Sequence, residues 1–261
     1  MEIDRAFVLY FSGTGTTARY ARAFAGALPC GTQTVDLGAK ETLDGPCGES
    51  DLLVLAAPVY NGRIPPFVWQ RLEGLQGDDT PAVILAVYGA RNYDDALLEM
   101  RTHLDEKGFV TVAAAALVAR HSIATSIASE RPTADDLGET KAFAGQVTAT
   151  IGRMDSISDA PTLTFQGDLI PREGSGGPFP EVAGVCNECG TCADNCPVDA
   201  ISHEASMATD VTRCISCMRC VDVCPTNARK LPDHLLKMVT QMLSQACDPN
   251  KPNLFFQEEW H

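Results

Sequence analysis

The sequence has little positive charge and no long apolar run. Its 261 residues include 20 Lys and Arg against 34 Asp and Glu, which gives a formal net charge of -14. This deficit argues against nucleic-acid binding, because affinity for phosphate backbones depends largely on Lys and Arg. No apolar stretch approaches the roughly 20 residues that span a bilayer, and the first residues lack the basic flank of a secretory signal. We therefore expect a soluble cytoplasmic protein with no membrane span and no nucleic-acid partner.

Catalytic signatures are also scarce. No nucleophile, general-base pair or catalytic metal triad is evident, and no GK[ST] follows the first glycine-rich loop, which excludes a Walker A loop. Cysteine, in contrast, is abundant, with 11 residues. In a cytoplasmic chain of this length such a count indicates metal ligands rather than disulfides.

Residues 1–155 alternate between short apolar runs and stretches with helical spacing. The apolar runs predict buried parallel strands at residues 6–11, 52–57, 82–88 and 112–119, with a shorter strand at 33–37. Apolar residues three or four apart predict helices between them, around residues 18–28, 68–75, 97–104 and 137–151. This alternation predicts a five-stranded parallel doubly wound α/β sheet, whose ligands bind beyond the carboxyl ends of the strands.

The composition changes after residue 155. The Pro/Gly-rich stretch 156–181 predicts a linker, and the cysteine-dense stretch 182–231 predicts a small second domain. Apolar spacing after Pro232 predicts a helix within the final segment, 232–261. The length of the chain agrees with two domains.

The cysteine-dense stretch repeats itself after 28 residues. Each copy reads CxxCxxCxxxCP, the spacing by which bacterial ferredoxins hold [4Fe-4S] clusters, with the fourth cysteine ligating the other cluster. On that logic one cluster is held by Cys186, Cys189, Cys192 and Cys224, and the second is held by Cys214, Cys217, Cys220 and Cys196. Zinc knuckles are the alternative, but they leave the third cysteine of each CxxCxxC unexplained. The cysteines outside the repeats are interpreted as non-ligands, namely Cys30, Cys47 and Cys247.

A loop rich in glycine and hydroxyls follows the first predicted strand and precedes a helix. Its residues are Ser12, Gly13, Thr14, Gly15, Thr16 and Thr17. Backbone N–H groups and the positive helix end make such a loop a phosphate site, although a plain turn capped by a threonine is the simpler alternative. Gly13, Gly15 and Ala18, followed by Asp36, also satisfy the loose dinucleotide fingerprint. The hydroxyls favour a terminal phosphate, because a pyrophosphate needs mainly bare backbone.

Two further loops follow later strands and carry an aromatic residue beside glycine. We expect them to sandwich a flat ring, with contacts from Pro58, Val59, Tyr60, Asn61 and Gly62 in one loop and from Gly89, Arg91, Asn92 and Tyr93 in the other. Both tyrosines are alternatively ordinary surface residues. His121 and Ser122, after the fifth strand, are further candidates to line the site.

These residues carry a resemblance to a known family. Residues 1–155 resemble flavodoxins, whose phosphate loop [ST]xTGxT is matched by Ser12, Thr14, Gly15 and Thr17. The resemblance implies FMN, with its ring held by the loops around Tyr60 and Tyr93, although no tryptophan is present in the first of these loops. With the small α+β two-cluster ferredoxin-like domain, the whole chain looks like the flavodoxin-ferredoxin fusions labelled EFR1-type ferredoxins of anaerobic microbes.

The leading functional hypothesis is an electron carrier that relays electrons between two [4Fe-4S] clusters and FMN, and to or from a redox partner protein. The rival is an enzyme, a flavin-dependent reductase of a small organic acceptor that is fed by its own clusters. A third hypothesis, a redox-sensing regulator, lacks any recognition element in the sequence.

Overall fold

The computed structural model describes residues 1–43, 45–170 and 177–257. Residues 171–176 of the predicted linker therefore lie outside the described residues. In chain order the elements are β1 (Arg5–Tyr10), α1 (Thr16–Ala25), β2 (Gly31–Asp36), β3 (Gly45–Cys47), β4 (Asp51–Pro58), α2 (Pro66–Arg71), β5 (Leu75–Gly77), β6 (Thr80–Tyr88), α3 (Ala96–Asp105), β7 (Phe109–Val118), α4 (Ala134–Arg153), β8 (Glu181–Val182), α5 (Thr191–Asp194), α6 (Arg219–Asp222), β9 (Arg229–Lys230), α7 (Asp233–Ala246) and β10 (Leu254–Phe256).

Five strands of the main sheet are parallel, in the order β2-β1-β4-β6-β7. Counted along the chain these are strands 2-1-3-4-5, which is the flavodoxin-like order. The residues of β4 and β6 are all buried, as expected for central strands that are covered on both faces. The predicted fold class is confirmed by this strand order.

Successive side chains of each strand point to opposite faces of the sheet, so the core has two layers. Ala6 and Val8 of β1 face α1 and α4, where Phe24 and Phe143 complete the layer. Phe7, Leu9 and Phe11 face the opposite layer, which contains α2 and α3. Helices therefore cover both faces, and the carboxyl ends of all five parallel strands meet at one edge of the sheet.

Two short elements differ from the predictions. Helix α2 ends at Arg71, and Leu75 lies in β5, which pairs with β3 in a separate two-stranded sheet. A sixth strand, β10, pairs antiparallel with β7 at the edge of the main sheet. Three residues are too few to show a period-2 pattern, so this strand leaves no signal in the sequence.

The described part of the predicted linker packs on the α/β domain. Leu163 is buried in the core, and its carbonyl accepts a 2.5 Å hydrogen bond from Arg101 Nη1. Further along, Ile170 O accepts a 2.7 Å bond from Arg63 Nη2. The stretch before residue 171 is thus attached to α3 and to the loop after β4.

The two cysteine repeats share one backbone conformation. Left-handed residues recur 28 positions apart: Glu188 and Ser216 have φ of 54° and 53°, and Gly190 and Met218 have φ of 75° and 62°. The four-residue helices α5 and α6 also start 28 positions apart. The sequence repeat is therefore a structural repeat.

The chain returns to the α/β domain after the cysteine repeats. Val239 and Leu243 of α7 are buried in the same core layer as α2 and α3, and β10 then joins the main sheet. Segment 182–231 consequently lies between two parts of the chain that both belong to the α/β domain. Across the described ranges, no helix combines the length and the apolar character needed to cross a membrane.

Asn253 joins the returning tail to the sheet. Its Oδ1 accepts a 2.9 Å hydrogen bond from the Val118 N–H, and its Nδ2 donates to the carboxylates of Asp136 and Glu139 at 2.9 and 2.8 Å. We predict that Asn253→Ala lowers the free energy of unfolding by about 1–3 kcal/mol, because the Val118 N–H is left buried without its acceptor. Urea denaturation followed by circular dichroism measures the change.

The matched control is Asn250→Ala, at an exposed position of the same tail. It should alter stability by no more than about 0.5 kcal/mol. Equal stability of the two variants would contradict the role given to Asn253.

Candidate functional site

The hydroxyl-rich loop lies at the carboxyl end of β1 and opens directly into α1. Gly15 has a left-handed φ of 80° and precedes the helix, whose N-terminus receives no side-chain cap from the described residues. The first N–H groups of a helix lack intrahelical partners, and here Gly13, Thr14, Thr16 and Thr17 line a cavity. Ser12, the first residue of the loop, is buried, and its Oγ has no hydrogen-bond partner among the described residues.

The loop after β4 makes a tight turn. Tyr60 and Arg63 exchange backbone hydrogen bonds of 2.8 and 3.1 Å, and the turn residues Asn61 and Gly62 are left-handed, with φ of 56° and 79°. Glu99 of α3 fixes the next residue, since its carboxylate accepts a 2.8 Å bond from the Ile64 N–H. The turn therefore holds a fixed shape at the cavity wall.

The loop after β6 packs against the loop after β7. A Cβ on Gly89 would lie 2.6 Å from His121 Cδ2, so only glycine admits the imidazole at this position. His121 Nδ1 accepts 3.2 Å bonds from the N–H groups of Ile123 and Ala124. The neutral ring therefore carries its proton on Nε2.

The C-terminal tail also fixes the loop after β6. The Ala90 carbonyl accepts a hydrogen bond from Asp248 N, and the Gly89 carbonyl accepts one from Cys247 Sγ.

These four loops enclose one side of a cavity of about 1560 Å³. Most of the predicted ring-contact residues line it, namely Pro58, Val59, Tyr60, Asn61, Gly62, Gly89, Arg91 and Asn92, and so do His121 and Ser122. Tyr93 is placed differently. Its ring packs against Tyr88 and Phe256, with centroids 5.8 and 6.4 Å away, and it is not among the lining residues.

The opposite wall of the cavity was not anticipated from the sequence. It is formed by the loop between the cysteine repeats and by α7, whose lining residues include Met207, Val211, Leu235, Met238 and Met242. Met238 and Met242 are 60% and 61% exposed. The helical spacing of α7 was visible in the sequence, but nothing in that spacing indicated that its exposed face would turn toward the α/β domain.

The first set of cysteines comes together across the two repeats. Cys186, Cys189 and Cys192 line a small cavity with Cys224, which comes from the second repeat. The Sγ of Cys189 lies 3.2 Å from Thr191 Oγ1, and this hydrogen bond lowers the pKa of the Cys189 thiol.

The second set is more deeply buried. Burial raises the pKa of the Cys217 and Cys220 thiols to about 12, and the neighbouring cysteines of this set, Cys196 and Cys214 among them, add to the rise. The Ala200 N–H donates to Cys196 Sγ at 3.2 Å. Cys196 of the first repeat is thus close enough to affect all three of these cysteines of the second. The crossed ligation stays a prediction from the spacing.

This second set touches the hydroxyl-rich loop. A Cβ on Gly13 would lie only 2.2 Å from the Cys217 carbonyl oxygen and 2.8 Å from the Tyr60 hydroxyl. Burial raises the pKa of Tyr60 well above its usual range, and the nearby Cys217 adds to the rise. Glycine at position 13 thus permits direct contact between the two candidate sites.

Asp36, the acid of the dinucleotide fingerprint, has another partner. Its Oδ2 lies 3.1 Å from Arg219 Nη2, with both side chains largely buried. Its Oδ1 accepts a 2.9 Å bond from the Gly38 N–H. Asp36 therefore joins the α/β domain to the cysteine repeats, and this carboxylate is already engaged.

His121 gives the site a pH dependence. Burial, followed by the positive charge of Arg91, lowers the pKa of His121 to about 4, against about 6.5 in the unfolded chain. Between these values the unfolded state binds the proton and the folded state does not, so stability falls as the pH is lowered from 6.5 to 4. We predict that His121→Asn reduces this loss by roughly 1–3 kcal/mol, as measured by denaturation at pH 7 and pH 4.5.

The control is His234→Asn, at an exposed position near the start of α7. It should keep the pH dependence of the parent protein. A His121→Asn protein with the parent's pH dependence would show that His121 does not remain neutral in the fold.

Comparison with known proteins gives one family match. Residues 185–228 match the 4Fe-4S dicluster domain. This matched segment contains all eight cysteines of the two repeats. The match favours iron-sulfur clusters over the zinc alternative. The search of curated proteins finds no match to the sequence.

Solved structures resemble the α/β part of the chain. A flavodoxin from the domain Archaea is 14% identical, with a TM-score of 0.43, over 57% of this chain and 99% of its own. Flavodoxin 1 from Bacillus cereus is 13% identical, with a TM-score of 0.42, over 56% and 98%. Rubredoxin oxygen:oxidoreductase from Desulfovibrio gigas is 17% identical, with a TM-score of 0.43, over 58% and 37%.

None of these likenesses is strong, and the α/β fold is identified by its own strand order. The chain joins a flavodoxin-like α/β domain to a 4Fe-4S dicluster domain, as in a flavodoxin-ferredoxin fusion.

Proposed function

We propose that the protein is an electron carrier that binds FMN at the strand ends of residues 1–155 and two [4Fe-4S] clusters in residues 182–231. Flavins exchange one or two electrons and iron-sulfur clusters exchange one, so that such a protein links the two kinds of chemistry. The observation that carries the proposal is the contact of the Cys217 carbonyl with Gly13.

The hydroxyl-rich loop suits the FMN phosphate. The N-terminus of α1 offers backbone N–H groups, and Ser12 Oγ is a buried hydroxyl that lacks a partner in the part of the chain that the structure describes. Thr14, Thr16 and Thr17 add hydroxyls at the cavity wall. A dianionic phosphate would satisfy these donors, and the helix end would stabilise its charge.

The ring of FMN would lie between the turn at Tyr60 and the loop at Gly89. Both loops are held by backbone hydrogen bonds, so the slot does not depend on flexible side chains. His121 would present its Nε2–H to this slot as a neutral donor. Tyr93 is not part of this proposal, because its ring packs against Tyr88 and Phe256.

The cysteines suit two cubane clusters with crossed ligation. Cys186, Cys189, Cys192 and Cys224 would hold the outer cluster, whereas Cys196, Cys214, Cys217 and Cys220 would hold the inner one. The second cluster is called inner because one of its ligands, Cys217, lies against the hydroxyl-rich loop. Iron supplies the positive charge that stabilises buried thiolates such as Cys220. The inner cluster is therefore the one that we place next to FMN.

The large negative charge of the chain favours a redox partner with a basic surface. We also place the protein in the cytoplasm, a reducing compartment, and within the described ranges none of the 11 cysteines forms a disulfide.

A second function is favoured by the size and character of the cavity. Its volume of about 1560 Å³ exceeds the roughly 300–1,000 Å³ of ordinary ligand pockets. The exposed Met238 and Met242 give it an apolar wall, which would suit a small apolar acceptor above the flavin. Steady turnover of a water-soluble quinone without a second protein would favour this reductase function. Electron exchange with carrier proteins alone would favour the relay.

The phosphate assignment predicts the effect of Thr14→Val. Loss of one hydrogen bond to a charged acceptor costs about 1.5–3 kcal/mol, so the Kd for FMN should rise by about 10- to 150-fold. Fluorescence titration of the apoprotein with FMN and with phosphate-free riboflavin measures the change.

Riboflavin affinity should not change in this variant, and Thr34→Val, on the exposed face of β2, should bind FMN like the parent. Equal affinity of the parent for FMN and riboflavin would refute the phosphate site.

The contact at Gly13 predicts the effect of Gly13→Ala. The added Cβ would lie 2.2 Å from the Cys217 carbonyl oxygen, which is too close for two non-bonded atoms. The hydroxyl-rich loop and the second cysteine repeat must therefore move apart. We expect slower electron exchange between clusters and flavin. Stopped-flow reduction with one-electron donors, at measured iron, sulfide and FMN content per chain, gives the rate.

Gly31→Ala is the control, since a Cβ at Gly31 would meet no atom of the described residues within 4 Å. It should react at the parent's rate. A Gly13→Ala protein with its full cofactor content and the parent's rate would contradict the relay through this contact.

A further inference from the structure

Arg229 is buried among the cysteine repeats. It lies in β9, is 2% exposed and is the largest of the fully buried side chains. Its guanidinium donates to Thr209 Oγ1 at 2.6 Å and to the carbonyl oxygens of Ser206 and Ala208 at 2.5 and 3.3 Å. Nη1 also lies 3.4 Å from the Pro180 carbonyl. Every one of these acceptors is uncharged.

The positive charge of Arg229 has no carboxylate partner among the described residues. Over the ranges that the structure describes, no Asp or Glu lies within 4.0 Å of its guanidinium, and its Nε has no hydrogen-bond partner. Burying an unpaired charge is strongly unfavourable. A negative group near this side chain, together with an acceptor for the Nε–H, would offset this cost.

The cysteines surround this charge. Arg229 lines the same cavity as Cys186, Cys189, Cys192 and Cys224. On the other side, β9 packs against α6, which carries Cys220 of the second set. The guanidinium thus lies close to both sets of ligands.

Only the second of the two cysteine repeats has an arginine at this position. Arg229 follows Ala228, and the equivalent residue 28 positions earlier is Ile201, which follows Ala200. Ile201 is also buried, at 4% exposed. An apolar side chain therefore satisfies the packing of this position in the first repeat, and packing alone does not account for a cation in the second.

We propose that Arg229 is the buried counter-charge of the iron-sulfur clusters, donates its Nε–H to cluster or cysteine sulfur, and raises the cluster reduction potential. The inference rests on the proposed cluster ligation. Each cluster gains one electron on reduction, with no covalent bond made or broken in the protein, so a fixed positive charge favours the reduced form. Net charge and hydrogen bonds to sulfur are established determinants of cluster potential.

The test compares Arg229→Met with the parent protein. Anaerobic titration with redox dyes, followed by visible absorption and electron paramagnetic resonance, measures the midpoint potentials. Arg229→Met should shift at least one cluster to a more negative potential, whereas Arg229→Lys should retain more of the parent value. Lys230→Met is the matched control, because Lys230 is a neighbouring cation that lies at the surface beside Asp233; it should leave the potentials unchanged.

Iron and sulfide analysis separates the outcomes. Parent protein without clusters would refute the proposed function itself. Clusters present in full in both proteins, with equal potentials, would overturn only the role of Arg229. Where Arg229→Met loses clusters, iron recovered by Arg229→Lys and not by Arg229→Gln would support the counter-charge, and equal iron content in these two variants would overturn it.

Discussion

The arrangement of the molecule depends on one close contact, between the Cys217 peptide carbonyl and Gly13. The absence of a side chain at position 13 lets the cysteine repeat reach the loop that opens α1. The ion pair of Asp36 with Arg219 joins the same cysteine repeat to the end of β2. Packing and charge therefore both hold the second cysteine repeat against the carboxyl ends of the strands.

The sequence revealed most of the elements, because their signals are local. Short apolar runs marked β4 and β6, and helical spacing marked α4, since burial on both faces or on one face leaves a periodic pattern. The cysteine spacing likewise predicts Cys224 as the fourth ligand of the first cluster, because a short CxxCxxC segment does not provide one. Cys224 lines the same small cavity as the first three cysteines.

Features that depend on distant parts of the chain were missed. Asp36 satisfied a nucleotide-binding pattern, yet its partner is Arg219, 183 residues later. Tyr93 was expected at the flat-ring slot, but Phe256 of the unanticipated strand β10 packs against it. Arg229 carries no sequence signal of burial, because arginine is mostly exposed. A single sequence records which residues are apolar and how they are spaced, but not which distant segments meet.

The return of the chain to the main sheet has a mechanical consequence. The cysteine repeats begin after a stretch attached to α3 and end before α7 and β10, which belong to the α/β core. A unit anchored at both ends cannot swing away like a pendant domain on a single flexible tether. Its distance from the strand ends is therefore set by the fold, which removes the search that a tethered or separate carrier needs before each encounter.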